Sequence, residues 1–333
     1  MNEPTLYSHP HHNCLSMTIT GVVHENIKPE YLWYISQLYA VTNGDKPVRF
    51  VPKIQFFDEE ITKFSNIHIN HQKFGSFEEY IKELDQLLEK NVPVITPVDT
   101  YHLSYSPTYK NENNFHWFEI WKNDQDLYYT IDHFFHAKST VTQSHLKDLV
   151  SGAKEILKAP IYQLYSVSAT GDSNLELMSY KQAIKDNLDA FSTKKALYKK
   201  IPYNIFESSQ VIEQGIDVFN EMHKKIQYVQ EIEEHEEKTA LYEELYEDFF
   251  EIGNSRHIFS EFIKNFTDHV AAVEPILQII EEVSQDYRIC ANLALRSTAD
   301  KGKSISKLQK RLHDLKEKEI IFINELNILY QNL

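Results

Sequence analysis

Two apolar runs, His116-Trp-Phe-Glu-Ile-Trp121 and Leu127-Tyr-Tyr-Thr-Ile131, are separated in this chain by the polar segment Lys-Asn-Asp-Gln-Asp. Aromatic and β-branched residues favour strands, and an Asn/Asp-rich segment between two such runs is typical of a turn. The stretch therefore predicts a β-hairpin, and with it a β-sheet in the first half of the chain.

The register of this hairpin brings a histidine and an aspartate together. If the turn is centred on Asp124, Glu119 lies opposite Tyr129 and His116 lies opposite Asp132. Directly opposed residues have Cβ atoms roughly 4.5–5.5 Å apart, so the carboxylate can accept a hydrogen bond from the imidazole. Asp132 is then predicted to orient His116 and to stabilise its protonated form, as in a catalytic triad. A slip of one residue would separate the two side chains.

A stretch rich in histidine, HPHHNCLSM, begins at His9 and contains one of the two cysteines. Asn13 is a suitable N-cap, and apolar residues at helical spacing follow from Leu15, so a helix is predicted to begin near Cys14. The free N–H groups at a helix N-terminus favour a thiolate. A cysteine there, followed by a histidine and an aspartate on neighbouring strands, has the chain order of papain-like cysteine enzymes. A free cysteine is, however, most often a small buried apolar residue.

The rest of the pattern predicts a mixed α+β first half and a helical second half. Ser76 and Glu79 form a capping box ahead of an amphipathic helix that should end near Lys90. The apolar run from Val92 to Val98 predicts a strand, and its two prolines indicate a sheet edge or an irregular start. A further strand is predicted at 162–167 and long helices at 208–230, 239–252, 255–296 and 304–332.

The composition is that of a globular protein that does not bind nucleic acid. The 333 residues are 42% apolar and 13% aromatic, which is enough for two modest domains. A net charge of −15 argues against binding a phosphate backbone, which needs clustered Lys and Arg. Neither a signal-peptide pattern nor an apolar run of membrane length is apparent. We therefore expect a cytoplasmic protein without membrane association, in which Cys290 is an inert core cysteine.

Several stretches together resemble the papain-like N-terminal domain of the butirosin biosynthesis H family, whose members form amides in natural-product pathways, as in closthioamide assembly. These stretches are HHNCLSMTI from residue 11, PVITPVDTYHLSYSPTY from residue 93, NFHWFEIW from residue 114 and YYTIDHF from residue 128. The resemblance covers about residues 9–150, and GNSRHIFSEFI around Arg256 is similar to the family's C-terminal region. It implies a papain-like cysteine-protease fold in residues 1–155, and a mostly helical domain in residues 156–333 that covers the active-site cleft.

The resemblance also implies a reaction. Cys14 matches the nucleophile, His116 the general base and acid, and Asp132 the orienting carboxylate. This triad would take an acyl group from the phosphopantetheine thioester of an acyl carrier protein and pass it to a small-molecule amine or diamine. No bound cofactor is expected besides the phosphopantetheine of the substrate, because thioester exchange needs no ATP and the sequence contains no P-loop.

Two departures from the family pattern concern the nucleophile. Leu15 and Ser16 stand where small or glycine-containing segments are common, which would narrow the acyl pocket. The oxyanion-hole glutamine of papain-like enzymes has no counterpart upstream of Cys14. We expect the backbone N–H of Cys14, with Asn13 or a nearby histidine, to stabilise the oxyanion instead.

Three further residues are candidates for substrate binding. Asp99 and Tyr101, in VDTYHL, match a characteristic stretch of the family, and Arg256 lies in the C-terminal motif. Asp99 would either anchor a cationic amine or cap the turn after its strand. Arg256 would either contact substrate or pair with an acidic helix. Tyr101, Tyr105 and Tyr109 would either line an acyl pocket or simply pack the loop.

Other interpretations stay open at this point. A metal site would draw on His9, His11, His12 and Cys14, or on Asp132, His133 and His136. The chain lacks an H-E-x-x-H motif, however, so we expect no metal. With water as the acceptor, the same triad would make the protein a cysteine peptidase or a thioesterase-type hydrolase. A non-catalytic binding or scaffold protein would bury Cys14 and use the helical half as an interface.

Docking of a carrier protein, which is usually acidic, would require a local basic patch. The candidate is the STKKALYKK stretch, with Lys194, Lys195, Lys199 and Lys200. A solvated helix face would give the same pattern. Homo-oligomerisation is also open.

Overall fold

The structure is a computed structural model that describes residues 3–34, 36–42, 48–52, 67–158, 161–169, 177–192, 210–266 and 273–333. The chain forms two compact units, Met1–Leu32 with Asp58–Asn174, and Trp33–Phe57 with Leu175–Leu333. This division differs from the expected boundary at residue 155, because the strand at 162–169 completes the sheet of the first unit. In the same way, the strands at 38–42 and 49–52 pair within the second unit. Coverage of a cleft by the helical part stays a prediction.

The described elements confirm the α+β class. The strands are β1 (Leu38–Thr42), β2 (Arg49–Pro52), β3 (Ile67–Phe74), β4 (Val94–Asp99), β5 (Phe115–Asp124), β6 (Leu127–Asp132), β7 (Ala137–Thr142), β8 (Tyr162–Ala169) and β9 (Gln210–Gln214). The helices are α1 (Cys14–Val23), α2 (Phe77–Glu89), α3 (Gln143–Ile156), α4 (Leu177–Ser192), α5 (Val218–Glu231), α6 (His235–Lys264), α7 (Glu274–Ala299) and α8 (Ile305–Asn332). The finer expectation of a papain-like arrangement stays a prediction.

The first unit is built on an antiparallel sheet in the order β3-β8-β4-β5-β6-β7. Phe118 and Ile120 of β5 share one hydrophobic core with Leu84 of α2 and Leu146 of α3. Helix α1 also packs against β5. Strand β5 is therefore buried along most of its length, which holds the residues it carries in fixed positions.

Strand β4 lies inside this sheet, so of the two predicted alternatives the sheet edge is wrong, and the strand begins at Val94, after the first proline. It pairs with β5 along its whole length, but with β8 only at Val94 and Ile95. Pro97 falls beyond that short ladder. Because the side of the strand that faces β8 has no ladder bond at this point, the missing N–H of proline costs nothing there.

The predicted helix starts are confirmed. Asn13 caps α1, where its side-chain oxygen accepts a hydrogen bond from the N–H of Ser16 at 2.9 Å. Ser76 caps α2 by accepting from the N–H of Glu79 at 3.2 Å. The Glu79 carboxylate reaches back to the N–H of Gly75 rather than to the cap residue itself. Cys14 is accordingly the first residue of a capped helix.

The predicted hairpin is present, but its register is wrong by two residues. Glu119 pairs with Ile131 instead of Tyr129. The chain reverses through a two-residue turn between Asp124 and Leu127, in which Gln125 adopts a positive φ of 54°. A bulge also interrupts the ladder between Ile120 and Lys122. The predicted hairpin, with its turn centred on Asp124, contained neither the two-residue turn nor the bulge.

In the second unit, the helices differ from the predicted bounds. Residues 210–214 form β9, which pairs with β1, rather than the start of a helix. Helix α6 runs without a break through Gly253, a residue type that usually interrupts helices. A Cβ at Gly253 would lie 3.1 Å from the backbone carbonyl oxygen of Ser284 in α7, so close packing explains the glycine.

Among the described helices, none combines the length and the apolar character needed to cross a bilayer.

Candidate active site

His116 and Asp132 form a buried hydrogen-bonded pair. The distance from His116 Nε2 to Asp132 Oδ2 is 2.8 Å, and the two side chains are 4% and 0% exposed. The second carboxylate oxygen, Oδ1, accepts from the backbone N–H groups of Phe134 at 3.1 Å and Phe135 at 2.9 Å. Both oxygens of Asp132 are therefore engaged, and the carboxylate is fixed where it can orient the imidazole.

The bulge at Trp121 is what places the two side chains on one face of the hairpin. Next to the turn, Asp124 pairs with Leu127. If the same register continued along the hairpin without a bulge, Asp132 would lie opposite Glu119. The side chain of Glu119 is on the other face of the sheet from His116, so Asp132 and His116 would not meet. The bulge shifts the register so that Asp132 falls on the face of His116 and Phe118. The pair then meets along a diagonal of the ladder rather than straight across it.

Cys14 completes the group from the N-terminus of α1. Its residue is partly exposed, and the Thr18 hydroxyl one turn later contacts the carbonyl oxygens of Cys14 at 2.7 Å and Trp117 at 3.3 Å. Burial by itself lowers the pKa of His116. The hydrogen bond to Asp132, together with the nearby Cys14, outweighs that effect and raises the pKa to about 9. The imidazole is then protonated at neutral pH and lies beside the Cys14 side chain.

Aromatic rings surround the imidazole. The His116 ring lies 4.6 Å from the Phe135 ring and 5.7 Å from the Phe134 ring, between centroids. Phe134 is nevertheless 42% exposed. The buried Tyr105 hydroxyl is close to Asp132 without reaching hydrogen-bond geometry; burial first, and then the charge of Asp132, raise the pKa of this phenol. The apolar wall keeps water from the His116–Asp132 bond, which strengthens that bond.

A thiol at a helix start, beside a buried imidazole that a carboxylate orients, is the arrangement that the family resemblance implied. Residues 32–133 match the family model of butirosin biosynthesis protein H, N-terminal. This match confirms the resemblance of the sequence motifs to the butirosin biosynthesis protein H family. It spans roughly a third of the chain and includes His116 and Asp132 but not Cys14. A search of curated proteins found no match to this chain.

Two of the other residues suggested by this family have structural contacts of their own. Asn13 uses its side-chain oxygen to cap α1, and any role in an oxyanion hole stays a prediction. Asp99 is 2% exposed, and its Oδ1 accepts from the backbone N–H groups of Tyr101 at 2.9 Å and Asn114 at 3.2 Å. The other carboxylate oxygen, Oδ2, packs closely against α3, since a Cβ added at Gly152 would lie only 2.7 Å from it. Asp99 caps the chain after β4, and Tyr101, which is half-buried, stays a candidate.

Arg256 is paired inside the second unit and not with the acidic helix, and a contact with substrate stays a prediction. Its side chain is 0% exposed and donates through Nε to Glu319 of α8 at 2.9 Å, and through Nη1 to Ser36. The guanidinium also lies over the rings of Phe191 and Phe322, at 5.4 and 5.7 Å. Arg256 is therefore a core residue of the second unit, where it holds an ion pair.

The N-terminal histidines pack together rather than forming a set of ligands. His12 is buried, and burial, followed by the positive charge of His9, lowers its pKa to about 3. The rings of His9 and His12 meet edge to face at 4.7 Å. Among the described residues, no group of three or more His, Cys, Asp or Glu side chains is placed to hold a metal ion.

The STKKALYKK patch, the candidate docking surface for a carrier protein, lies almost entirely outside the described residues.

Sequence reasoning missed a second buried pair, between Glu119 and His133, on the opposite face of the hairpin. His133 Nε2 lies 3.0 Å from Glu119 Oε2, and the two side chains are 0% and 1% exposed. A glutamate in the middle of an apolar strand was the available signal, because a buried carboxylate needs a partner. The register that would have identified His133 as that partner depends on the bulge.

Cys14 should react with iodoacetamide much faster than Cys290. Cys14 is partly exposed beside His116, whereas Cys290 is buried, and burial raises its thiol pKa to about 12. Brief alkylation at neutral pH followed by peptide mass spectrometry measures both sites. We expect His116→Ala to slow the reaction at Cys14 by about tenfold or more. Equal labelling of the two cysteines in the folded protein would contradict the assignment.

The unfolding free energy should fall as the pH rises through about 9. The folded pKa of His116 is raised to about 9 from the ordinary 6.5, so its stabilising contribution is complete below pH 6.5 and disappears above pH 9. Asp132→Asn should remove much of this dependence, on the order of 3 kcal/mol at most. Urea titrations at several pH values measure the effect. A difference between wild type and variant that does not change with pH would argue against the raised pKa.

Arg256→Met should destabilise the protein without changing the chemistry of each folded molecule. The variant leaves Glu319 buried without its partner, which typically costs about 3–5 kcal/mol. The double variant Arg256→Met with Glu319→Leu removes both charges and should recover much of that loss. Chemical denaturation measures the stabilities. A stable single variant with a raised KM would instead support the substrate-binding interpretation.

Proposed function

We propose that the protein is a cysteine-dependent acyltransferase that forms an amide bond in natural-product biosynthesis. It takes an acyl group from a carrier-protein thioester and passes it through Cys14 to an amine. The observation that carries this proposal is the buried His116 imidazole, which is hydrogen-bonded through Nε2 to Asp132 and lies beside Cys14. This arrangement supplies a nucleophile, a proton carrier and an orienting group in one place.

In the first half of the proposed reaction, the Cys14 thiolate attacks the thioester carbonyl carbon and forms a new C–S bond. The backbone N–H of Cys14 and the side-chain amide of Asn13 are the proposed donors to the oxyanion. When the oxyanion collapses, the bond to the phosphopantetheine sulfur breaks, and protonated His116 gives its proton to the departing thiolate. The products are an acyl-Cys14 thioester, a free carrier thiol and a neutral imidazole.

In the second half, the neutral imidazole accepts a proton from the amine as the amine attacks the acyl-Cys14 carbonyl carbon. A C–N bond forms, the C–S bond to Cys14 breaks, and the thiolate is again paired with the protonated imidazole. The acyl group passes first from one thioester to another, so little free energy is lost before the amine attacks. Conversion of the Cys14 thioester into the more stable amide then drives the reaction. Throughout both halves Asp132 keeps the imidazole oriented, and its negative charge stabilises the imidazolium.

The family match supports the biosynthetic context. The matched region is named for a butirosin biosynthesis protein and contains the histidine and aspartate of the proposed triad. The net charge of −15 is compatible with a cationic amine or diamine acceptor. Asp99 is not part of this proposal, because its carboxylate already accepts two backbone N–H groups and is buried.

The deciding experiment is intact-protein mass spectrometry of wild type, Cys14→Ala and Cys290→Ala after mixing with acyl thioesters. Both small thioesters and carrier-bound ones are used, first without an amine. We expect an acyl mass gain on wild type and Cys290→Ala but not on Cys14→Ala, because Cys14 is the accessible thiol beside His116. Adding a diamine should then discharge the adduct and release an amide.

The other outcomes separate the alternatives. Discharge by water at the same rate with and without the diamine would identify a hydrolase built on the same triad. An adduct on Cys14→Ala would show that the nucleophile was assigned wrongly. If neither small nor carrier-bound thioesters label the wild type, the proposal fails and a binding or scaffold role takes its place.

A further inference from the structure

The hairpin carries a second histidine–carboxylate pair that the proposed mechanism does not use. Glu119 lies three residues after His116 on β5, and His133 directly follows Asp132 at the end of β6. Since neighbouring residues of an extended chain point to opposite faces, the Glu119–His133 pair backs onto the catalytic pair. Both of its side chains are almost completely buried. Burying an acid and an imidazole costs desolvation free energy, which only their hydrogen bonds to each other and to their surroundings offset.

The hydrogen bonds of His133 define its tautomer. Its Nδ1 accepts from the backbone N–H of Tyr7 at 3.1 Å, and so carries no proton. The proton of the neutral ring is therefore on Nε2, which donates to Glu119 Oε2 at 3.0 Å. One imidazole thus joins the chain segment that precedes Cys14 to the strand that carries His116.

Helix α1 lies directly on the same imidazole. A Cβ added at Gly21 would overlap the His133 ring atoms, so only glycine allows this approach. Glycine in the middle of a helix is unfavourable compared with alanine, and close packing on His133 is the physical reason for it here. Gly21 is two helical turns from Cys14, and Tyr7 is seven residues before it. His133 therefore contacts the backbone on both sides of the nucleophile.

We propose that His133, held by Glu119, is a positioning residue that sets the distance and direction between Cys14 and His116. It contacts neither substrate nor the reacting atoms. It acts by anchoring helix α1 and the segment before it to the same hairpin that carries the catalytic pair. This inference rests on the proposed roles of Cys14 and His116.

Three variants separate the contacts of this imidazole. In His133→Asn, the amide oxygen can replace Nδ1 and keep the bond to the Tyr7 N–H, while the donor to Glu119 is lost. In His133→Gln, the longer amide can replace Nε2 and keep the bond to Glu119, while the bond to Tyr7 is lost. Gly21→Ala leaves both partners in place and pushes α1 away from the ring. Lys138→Met is the matched control, because Lys138 contacts the same N-terminal segment at its exposed end, through Glu3 and Pro4.

The test is a double-mutant cycle on the alkylation rate of Cys14 by iodoacetamide, which needs no acyl substrate. His116→Ala is combined with each variant. The factor by which His116→Ala lowers the alkylation rate is then compared between the variant and the wild-type background. If His133 positions the two catalytic side chains, the factor by which His116→Ala lowers the alkylation rate should be about tenfold smaller in the His133→Gln and Gly21→Ala backgrounds than in wild type. In the Lys138→Met background the loss should equal that in wild type.

A merely structural role gives a different result. The variants would lower the denaturation midpoint, yet His116→Ala would cost the same factor in every background, and that outcome overturns the inference. If the His133 variants do not fold, the Gly21→Ala cycle decides in the same way. Failure of wild type to accept acyl groups would instead overturn the proposed function, and the alkylation cycle would still answer the question about His133.

Discussion

The site depends on one irregularity in a β-ladder. Side chains alternate between the faces of a sheet, so two residues on neighbouring strands meet only when the register has the right parity. The bulge between Ile120 and Lys122 changes that parity between the turn and the far end of the hairpin. It thereby assigns Asp132 to His116 on one face and His133 to Glu119 on the other. Both buried pairs are consequences of the same inserted residue.

The sequence predicted those parts of the structure that depend on short-range chemistry. Asn13 and Ser76 have side chains that satisfy free N–H groups at helix starts, and both caps are present. The hairpin was predicted because its turn residues are local. The His116–Asp132 pair was also predicted, although the assumed register was wrong by two residues. A shift of two preserves the face, so the pairing survives an error that a shift of one would not have tolerated.

The features that sequence reasoning missed all depend on packing between distant segments. The chain between β3 and β4 does not reveal that β8 returns to lie beside β4, so the sequence could not decide between a sheet edge and an irregular start for this strand. A break between two helices was predicted at 253–254, because the close approach of Ser284 to Gly253 cannot be seen in the sequence. Arg256 looked like a functional residue since it stands in a shared motif, but its partner Glu319 is far along the chain. A charged residue can therefore pair within the core without contacting a substrate.

The Asp132 carboxylate accepts its two further hydrogen bonds from the main chain at Phe134 and Phe135, not from their side chains. Any residue other than proline supplies that N–H. The ring of Phe134, which is partly in solvent beside the imidazole, is therefore not tied to the hydrogen bonding of the base. A substitution at position 134 that is not proline therefore leaves the backbone N–H that donates to Asp132 in place. At this position, selection can change the side chain beside the His116 imidazole without removing a hydrogen bond to Asp132.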